Sequence, residues 1–248
     1  MSNSEGDWVP VHKVRNYELV MEQLEEQLLS GRLKPGDQLP SERVLASRLG
    51  ISRPSLREVL RVLEALGIVE VKLGGGPASG TVIRDQPGSA YGRLMRMELA
   101  MGHFSRNDIL LSRLALEEWS FLHAAQSASS EDIEELSSLV QQMSDPEISI
   151  DRYMEIDSDF HALVADMAGN TLNAHILRSL RNAIHLYMVS QYEMLEDWRI
   201  EQRRLNKEHR AMLTAIEDGD GRLARDLIHK SITNFYDVDL PSMREDAE

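Results

Sequence analysis

The hydrophobic period of this chain breaks in one place only. Up to Leu66 apolar residues recur every three or four positions; from Ile68 to Ile83 they do not; beyond Ala90 the helical spacing returns and persists. In the first stretch, apolar residues at 14, 17, 20, 21, 24 and 28 mark an amphipathic helix over 14–29, closed by Gly31. Residues 31–40 are a turn-rich connection. Ser41 stands where an N-cap would start a short helix ending at Gly50, with Val44, Leu45 and Leu49 turned inward. Ser52 caps the next helix, which carries Arg53, Pro54 and Ser55 in its first turn and Leu56, Val59, Leu60 and Leu63 on its apolar face. Proline is tolerated there because first-turn N–H groups have no partner inside the helix. The break itself reads as a β-hairpin, strands 68–71 and 81–83 around a glycine-rich tip at 72–80, followed by a linker at 85–90. Helices are then expected near 91–102, 106–127, 130–143, 149–168, 171–196, 199–218 and 221–236. The fold class predicted is mainly α: an N-terminal winged helix-turn-helix plus a C-terminal antiparallel bundle of about seven helices.

Composition supports this and excludes much else. Aromatics are 5% of 248 residues, which favours helices over β-sandwiches or barrels, and Cys is absent, so disulfide frameworks, cysteine zinc fingers and thiol nucleophiles are out. No apolar run reaches the roughly 20 residues that span a bilayer, and the start has no signal-peptide core. The expectation is a cytoplasmic protein with no membrane partner. The net charge of −14 is uneven. Residues 1–85 are nearly neutral, with 11 Lys/Arg and 12 Asp/Glu, whereas 86–248 hold 16 and 29. Within 41–61 five arginines face two glutamates. A basic element on an acidic chain suits DNA, because the local field governs the contact.

A recognition helix enters the major groove by its N-terminus, with donors for phosphates and base edges. Ser52, Arg53, Ser55 and Arg57 occupy the first two turns of the third helix, and Arg43 lies just beyond the preceding cap at Ser41. Arg48 and Arg61 read as surface residues. The run Leu33-Lys-Pro-Gly-Asp-Gln-Leu-Pro-Ser-Glu-Arg43, with Leu45-Ala46, Leu49-Gly50, Ser52-Arg53, Leu56-Arg57-Glu58, Leu63 and Leu66-Gly67, resembles the DNA-binding domain of the GntR family of bacterial transcription regulators. The resemblance covers about 13–84. It implies DNA contacts by Arg43, Arg53 and Arg57 and a tip, at Gly75 and Gly76, that enters the minor groove; the hydroxyls of Ser41, Ser52 and Ser55 are expected DNA contacts beside them, since a serine suits phosphate oxygens. The tip is longer than the family's pattern.

Farther on, Asp157 and His161 are four apart on one helix and project from one face. His209 lies on a later helix. Carboxylate and imidazoles from facing helices can build a metal site; the other reading is a set of satisfied core residues. Residues 91–236 resemble the FCD ligand-binding domain of the FadR-type branch, through Arg113-Leu-Ala-Leu-Glu117, Asp157-x-x-Phe-His161, Gly169-Asn170, Glu208-His209, Ala215-Ile216 and Gly219-Asp220. In that domain an Asp and three His commonly hold a divalent metal (Zn, Ni or Mn) that helps bind a small carboxylate effector. Asp157, His161 and His209 match three ligands; Ser231 stands at the fourth, facing the open side, and His229 reads as a surface residue. Arg113 has two readings: partner of an effector carboxylate, or an internal pair with Glu117 or Asp157. Asn170 would cap the helix at Thr171 or donate to the effector.

The domain plan is a start at 1–12, the winged domain 13–84, the linker 85–90, the helical effector domain 91–238 and a tail 239–248. The function expected is an effector-responsive transcription regulator that binds operator DNA as a homodimer. The alternative is a metal-free sensor of a larger acyl ligand. A metal-dependent enzyme is least favoured, since no HExxH, nucleophile elbow or phosphate loop occurs.

Overall fold

The structure is a computed structural model that describes residues 16–72 and 80–237. Backbone contacts divide the chain into two compact units, Met1–Ala90 and Tyr91–Glu248.

In the first unit, α1 (Asn16–Leu29), α2 (Glu42–Leu49) and α3 (Arg53–Ala65) precede an antiparallel pair, β1 (Val69–Lys72) and β2 (Gly80–Ile83). The register sets Val69 opposite Ile83 and Lys72 opposite Gly80. Val20, Leu24, Leu39, Ala46, Leu56, Val59, Leu60, Leu63, Val69 and Ile83 close one core. Gly50 ends α2 with φ 66°, a conformation that a side chain disfavours, and lets the chain turn within two residues into α3. The Ser52 hydroxyl accepts from the Ser55 N–H at 3.2 Å, as a cap should.

Three details differ from the sequence reading. Ser41 holds the N-cap position of α2, but its side chain makes no capping hydrogen bond. The deeply buried residue of α2 is Ala46, while Val44, Leu45 and Leu49 are only half-buried, because a two-turn helix presents a small residue where it packs closest. Residues 36–39 are more than a connection. Leu39 N–H donates to Thr81 O at 2.8 Å and Ile83 N–H to Asp37 O at 2.8 Å, and Gln38 bridges antiparallel to Val82. That segment covers one edge of β2, which a lone hairpin would leave open. The tip at 73–79, including Gly75 and Gly76, and all of the expected start at 1–12 and tail at 239–248 lie outside the described residues.

The second unit is α4 (Ala90–Ala100), α5 (Arg106–Ser127), α6 (Ser130–Met143), α7 (Ile150–Met167), α8 (Thr171–Glu193), α9 (Trp198–Glu217) and α10 (Gly221–Asp237). Ser105 with Asp108, and Ser129 with Asp132, form capping boxes that start α5 and α6. The bundle core runs through Phe121, Leu136, Met143, Tyr153, Phe160, Val164, Ile184, Met212, Ile216, Ala224 and Ile228. α5 and α10 are packed along one another. A Cβ placed on Gly221 would stand 2.3 Å from the Leu122 carbonyl oxygen, so the first turn of α10 rests directly on the α5 backbone. Gly221→Ala should therefore destabilise the chain by about 1–3 kcal/mol despite alanine's better helix propensity. Chemical denaturation checks this; an unchanged midpoint would mean that the two backbones separate freely.

Candidate functional site

Two sites were expected, one in each unit. On the first, Arg43, Arg53 and Arg57 are all exposed. Arg57 Nε donates to Glu42 Oε2 at 2.8 Å, and Arg53 stands 4.0 Å from the same oxygen. The Ser52 and Ser55 hydroxyls lie 2.7 Å apart. The N-terminus of α3 thus carries two guanidinium groups gathered by one carboxylate, on a helix end whose free N–H groups and dipole favour anions. Arg61 pairs with Glu58 one turn along the same helix.

In the bundle, α7 supplies Asp157 and His161, α9 supplies His209, α5 supplies Arg113 and Glu117, and α8 supplies Arg181. All six are buried. One ligand atom from each of Asp157, His161 and His209 lies within 4.8 Å of the others. His209 Nε2 is 3.0 Å, and His161 Nε2 3.7 Å, from Asp157 Oδ1. Glu117 is the hub behind them. Arg113 Nε donates to its Oε1 at 2.8 Å, Arg181 NH1 reaches both oxygens at 3.1 Å, and His161 Nδ1 stands 2.7 Å from Oε2. The second terminal nitrogen of Arg181, NH2, donates to Asp157 Oδ2.

Burial alone would push both carboxyls up. At Asp157 the Arg181 charge and then His161 overcome it, and at Glu117 the charges of Arg113 and Arg181 do so, holding both below the usual carboxylate range. For Arg113 burial opposes the charged form, but Glu117 outweighs it and raises the guanidinium further. Two anions thus meet two cations, and the histidines add nothing to the balance when neutral.

The histidine geometry is informative. His209 Nδ1 is 2.9 Å from the Leu205 carbonyl oxygen, which can only accept. Nδ1 therefore carries the proton, and a neutral ring turns the Nε2 lone pair toward Asp157 Oδ1. A lone pair against a carboxylate is repulsive, so the 3.0 Å contact is held together either by a second proton on Nε2, which then donates to Asp157 Oδ1, or by a cation between the two. His161 turns its Nδ1 to Glu117 and its Nε2 to the same Asp157 oxygen. A histidine ligand commonly gives its second nitrogen to a carboxylate or a carbonyl and leaves the first for a cation. The donor set, one carboxylate oxygen and two imidazole nitrogens, suits a divalent transition ion.

The remaining expected residues are placed as follows. Arg113 pairs internally with Glu117, and its side chain also hydrogen-bonds to Tyr236. Asn170 is exposed and caps α8, its side chain accepting from the Asn173 N–H at 3.0 Å. Ser231 is not among the clustered residues. Its hydroxyl donates to Glu208 Oε2 at 2.8 Å, because the α9–α10 packing turns it to that carboxylate, whose other oxygen is taken by Arg204. His229 is exposed and pairs with Glu118 at 2.8 Å. The sequence reading missed Arg181. Its signal was available: a charge on α8 in the stripe formed by Leu177, Leu180 and Ile184, where only a paired group can be buried.

A winged helix-turn-helix with an exposed arginine pair, joined in one chain to a helical bundle with buried charges, defines a DNA-binding regulator with a sensing domain. The sequence pattern of bacterial regulatory proteins of the gntR family matches residues 16–78, and that of the FCD domain matches 108–234. The chain belongs to the GntR family and carries its FCD domain; it is a transcription regulator and not an enzyme. It is 28% identical over 213 residues to the HTH-type transcriptional regulator LutR of Bacillus subtilis (strain 168), covering 84% of this chain and 94% of that one. With the Glc operon transcriptional activator of Escherichia coli (strain K12) it shares 27% over 232 residues, 90% of each chain. The fold is similar to that of Streptococcus agalactiae GntR, with a TM-score of 0.59 and 24% identity over 88% of this chain and 98% of that one. Among the described residues no helix is long and apolar enough to cross a membrane.

Proposed function

We propose that the bundle senses a small carboxylate and that this sensing adjusts operator binding by a homodimer in the cytoplasm. A divalent ion would be held by Asp157, His161 and His209, supplying a Lewis-acidic point for a carboxylate oxygen, and Arg113 would offer a second contact. The observation that carries the reading is the convergence of one Asp157 oxygen and a nitrogen of each of His161 and His209 within 4.8 Å of one another, all buried. Residues 13–84 and 91–238 would act as the two domains, with 85–90 between them. A homodimer follows from the reading head: one recognition helix spans only a few base pairs, and two-fold pairing doubles the contact.

A metal-free site is favoured by a different observation. Arg181 already supplies Asp157 and Glu117 with a cation, and Ser231 stands where the family's fourth ligand is a histidine. Metal analysis of the purified chain, followed by titration of chelator-treated protein with Zn²⁺, separates the two. The expected result is one ion per chain, with affinity lowered about a hundredfold or more in His209→Ala and unchanged in the exposed His229→Ala. Absence of any binding by the wild-type chain would leave a metal-free pocket around Arg113. An equal loss in His229→Ala would overturn the ligand assignment.

A further inference from the structure

Two exposed helix stripes of opposite charge are left without partners. On α9, Ile200, Arg203, Lys207 and Arg210 follow one another at three- and four-residue spacing and are all exposed, so they share one outer face. On α1, Glu18, Glu22, Glu25 and Leu29 do the same. The apolar residue at the end of each stripe is well exposed, Ile200 at 60% and Leu29 at 82%.

Neighbouring charges on the same helices are closed. Arg204 binds Glu201 and Glu208, Arg199 donates to the Ile148 carbonyl, and Glu26 pairs with Arg32. Arg203, Lys207, Arg210, Glu18, Glu22 and Glu25 form no ion pair among the described residues. Like charges three or four positions apart on a helix repel, so each stripe taken alone weakens the helix that carries it. Three adjacent cations also stand out within residues 86–248, where 29 Asp/Glu outnumber 16 Lys/Arg. A surface of opposite charge would offset the repulsion in each.

The two stripes match. Each runs about 15 Å, at 1.5 Å per residue. Laid antiparallel, Arg210 meets Glu18, Lys207 meets Glu22 and Arg203 meets Glu25, while Ile200 meets Leu29 and closes one end. A second copy of the chain presents both stripes again, so a two-fold arrangement makes the contact twice.

We propose that the α9 stripe of one copy docks antiparallel on the α1 stripe of a second copy. The contact deepens the homodimer reading and rests on it. Exposed ion pairs are individually weak, so they set which surfaces meet, and in which register, more than they supply the bulk of the affinity.

Sedimentation of the full chain over a dilution series, at about 0.1 M salt where exposed charges still act over about 10 Å, measures the dimer constant. Two variants reverse one stripe each: Arg203→Glu, Lys207→Glu, Arg210→Glu in the first, and Glu18→Lys, Glu22→Lys, Glu25→Lys in the second. Either should weaken the dimer about ten- to a hundredfold, the sum of several weak pairs. Mixed in equal amounts, the two should return to within about threefold of the wild-type constant, since each then offers the other the opposite charge. A chain that had merely lost its fold would not recover on mixing. Unchanged dimerisation in either variant, or no recovery in the mixture, overturns the proposal. Recovery only when all six substitutions share one chain would assign the pairing to a single copy and overturn it too. Loss of operator affinity in the first variant with an unchanged dimer constant would give its cations to DNA phosphates instead. Should the wild-type chain be monomeric at every concentration, the homodimer reading falls and the contact with it; a dimer indifferent to both reversals removes the contact alone.

Discussion

Arg181→Met should lower the melting temperature of the chelator-treated chain by about 10 °C. The guanidinium is 1% exposed and is shared by two buried carboxylates, Glu117 and Asp157. Methionine has similar bulk, so the change removes charge more than volume. Removing one partner of a buried ion cluster strands the others, at a cost of about 3–5 kcal/mol. For a chain of this size each kcal/mol is about 2–4 °C. The pH dependence follows from the two carboxyls. Both are held below their ordinary values of 4.5 and 3.8, so their contribution is present above those values and is lost as pH falls through the depressed ones. The gap between wild type and Arg181→Met should accordingly be widest near pH 7 and narrow below about pH 4. Thermal melts at several pH values measure it. A melting temperature within about 2 °C of wild type at pH 7 would mean that solvent, not Arg181, balances these carboxylates.

Much of this architecture was legible because local signals coincide with periodic ones. The limits of α5 and α6 agree with the sequence reading to the residue, since Ser105 with Asp108 and Ser129 with Asp132 announce each start while the apolar stripe runs on to Ser127 and Met143. Asp157 and His161 could be paired from their four-residue spacing alone. What spacing cannot supply is a partner on another helix. Glu117 and Arg181 are 64 positions apart, and the hub they form decides how the Asp157 carboxylate is oriented. For the same reason the family's pattern identified the position of Ser231 but not the Glu208 carboxylate that takes its hydroxyl. In the first unit the strand-like pairing of Gln38 with Val82 was hidden in a segment rich in Gly and Pro, because its hydrogen bonds come from the backbone and need no β-prone side chains. Ser41 shows the converse: a residue of the right type at the right position whose side chain is not used as a cap.

The arginine pair on α3 should carry operator affinity, and Glu42 should decide how it is spent. In the free chain Arg57 is bound to Glu42 and Arg53 lies 4.0 Å from the same oxygen. Their side chains are 56% and 58% exposed, so neither is needed for folding, and an exposed pair of this kind contributes little to stability. On DNA the carboxylate must yield its arginines to base edges or phosphates. Arg53→Ala and Arg57→Ala should each weaken binding by about 1–3 kcal/mol, roughly ten- to a hundredfold, against a duplex selected from random sequence with the wild-type chain. Salt titrations tell the two kinds of contact apart. Loss of a phosphate contact lowers the dependence on salt by about one ion and weakens all sequences equally; loss of a base contact leaves the slope and relaxes preference at one position. Glu42→Gln removes the competing carboxylate, so it should raise affinity for unrelated duplexes more than for the selected one and narrow the ratio between them. Full affinity in the Arg53→Ala, Arg57→Ala double variant would take the N-terminus of α3 off the DNA and leave Arg43 as the remaining exposed arginine of the expected set.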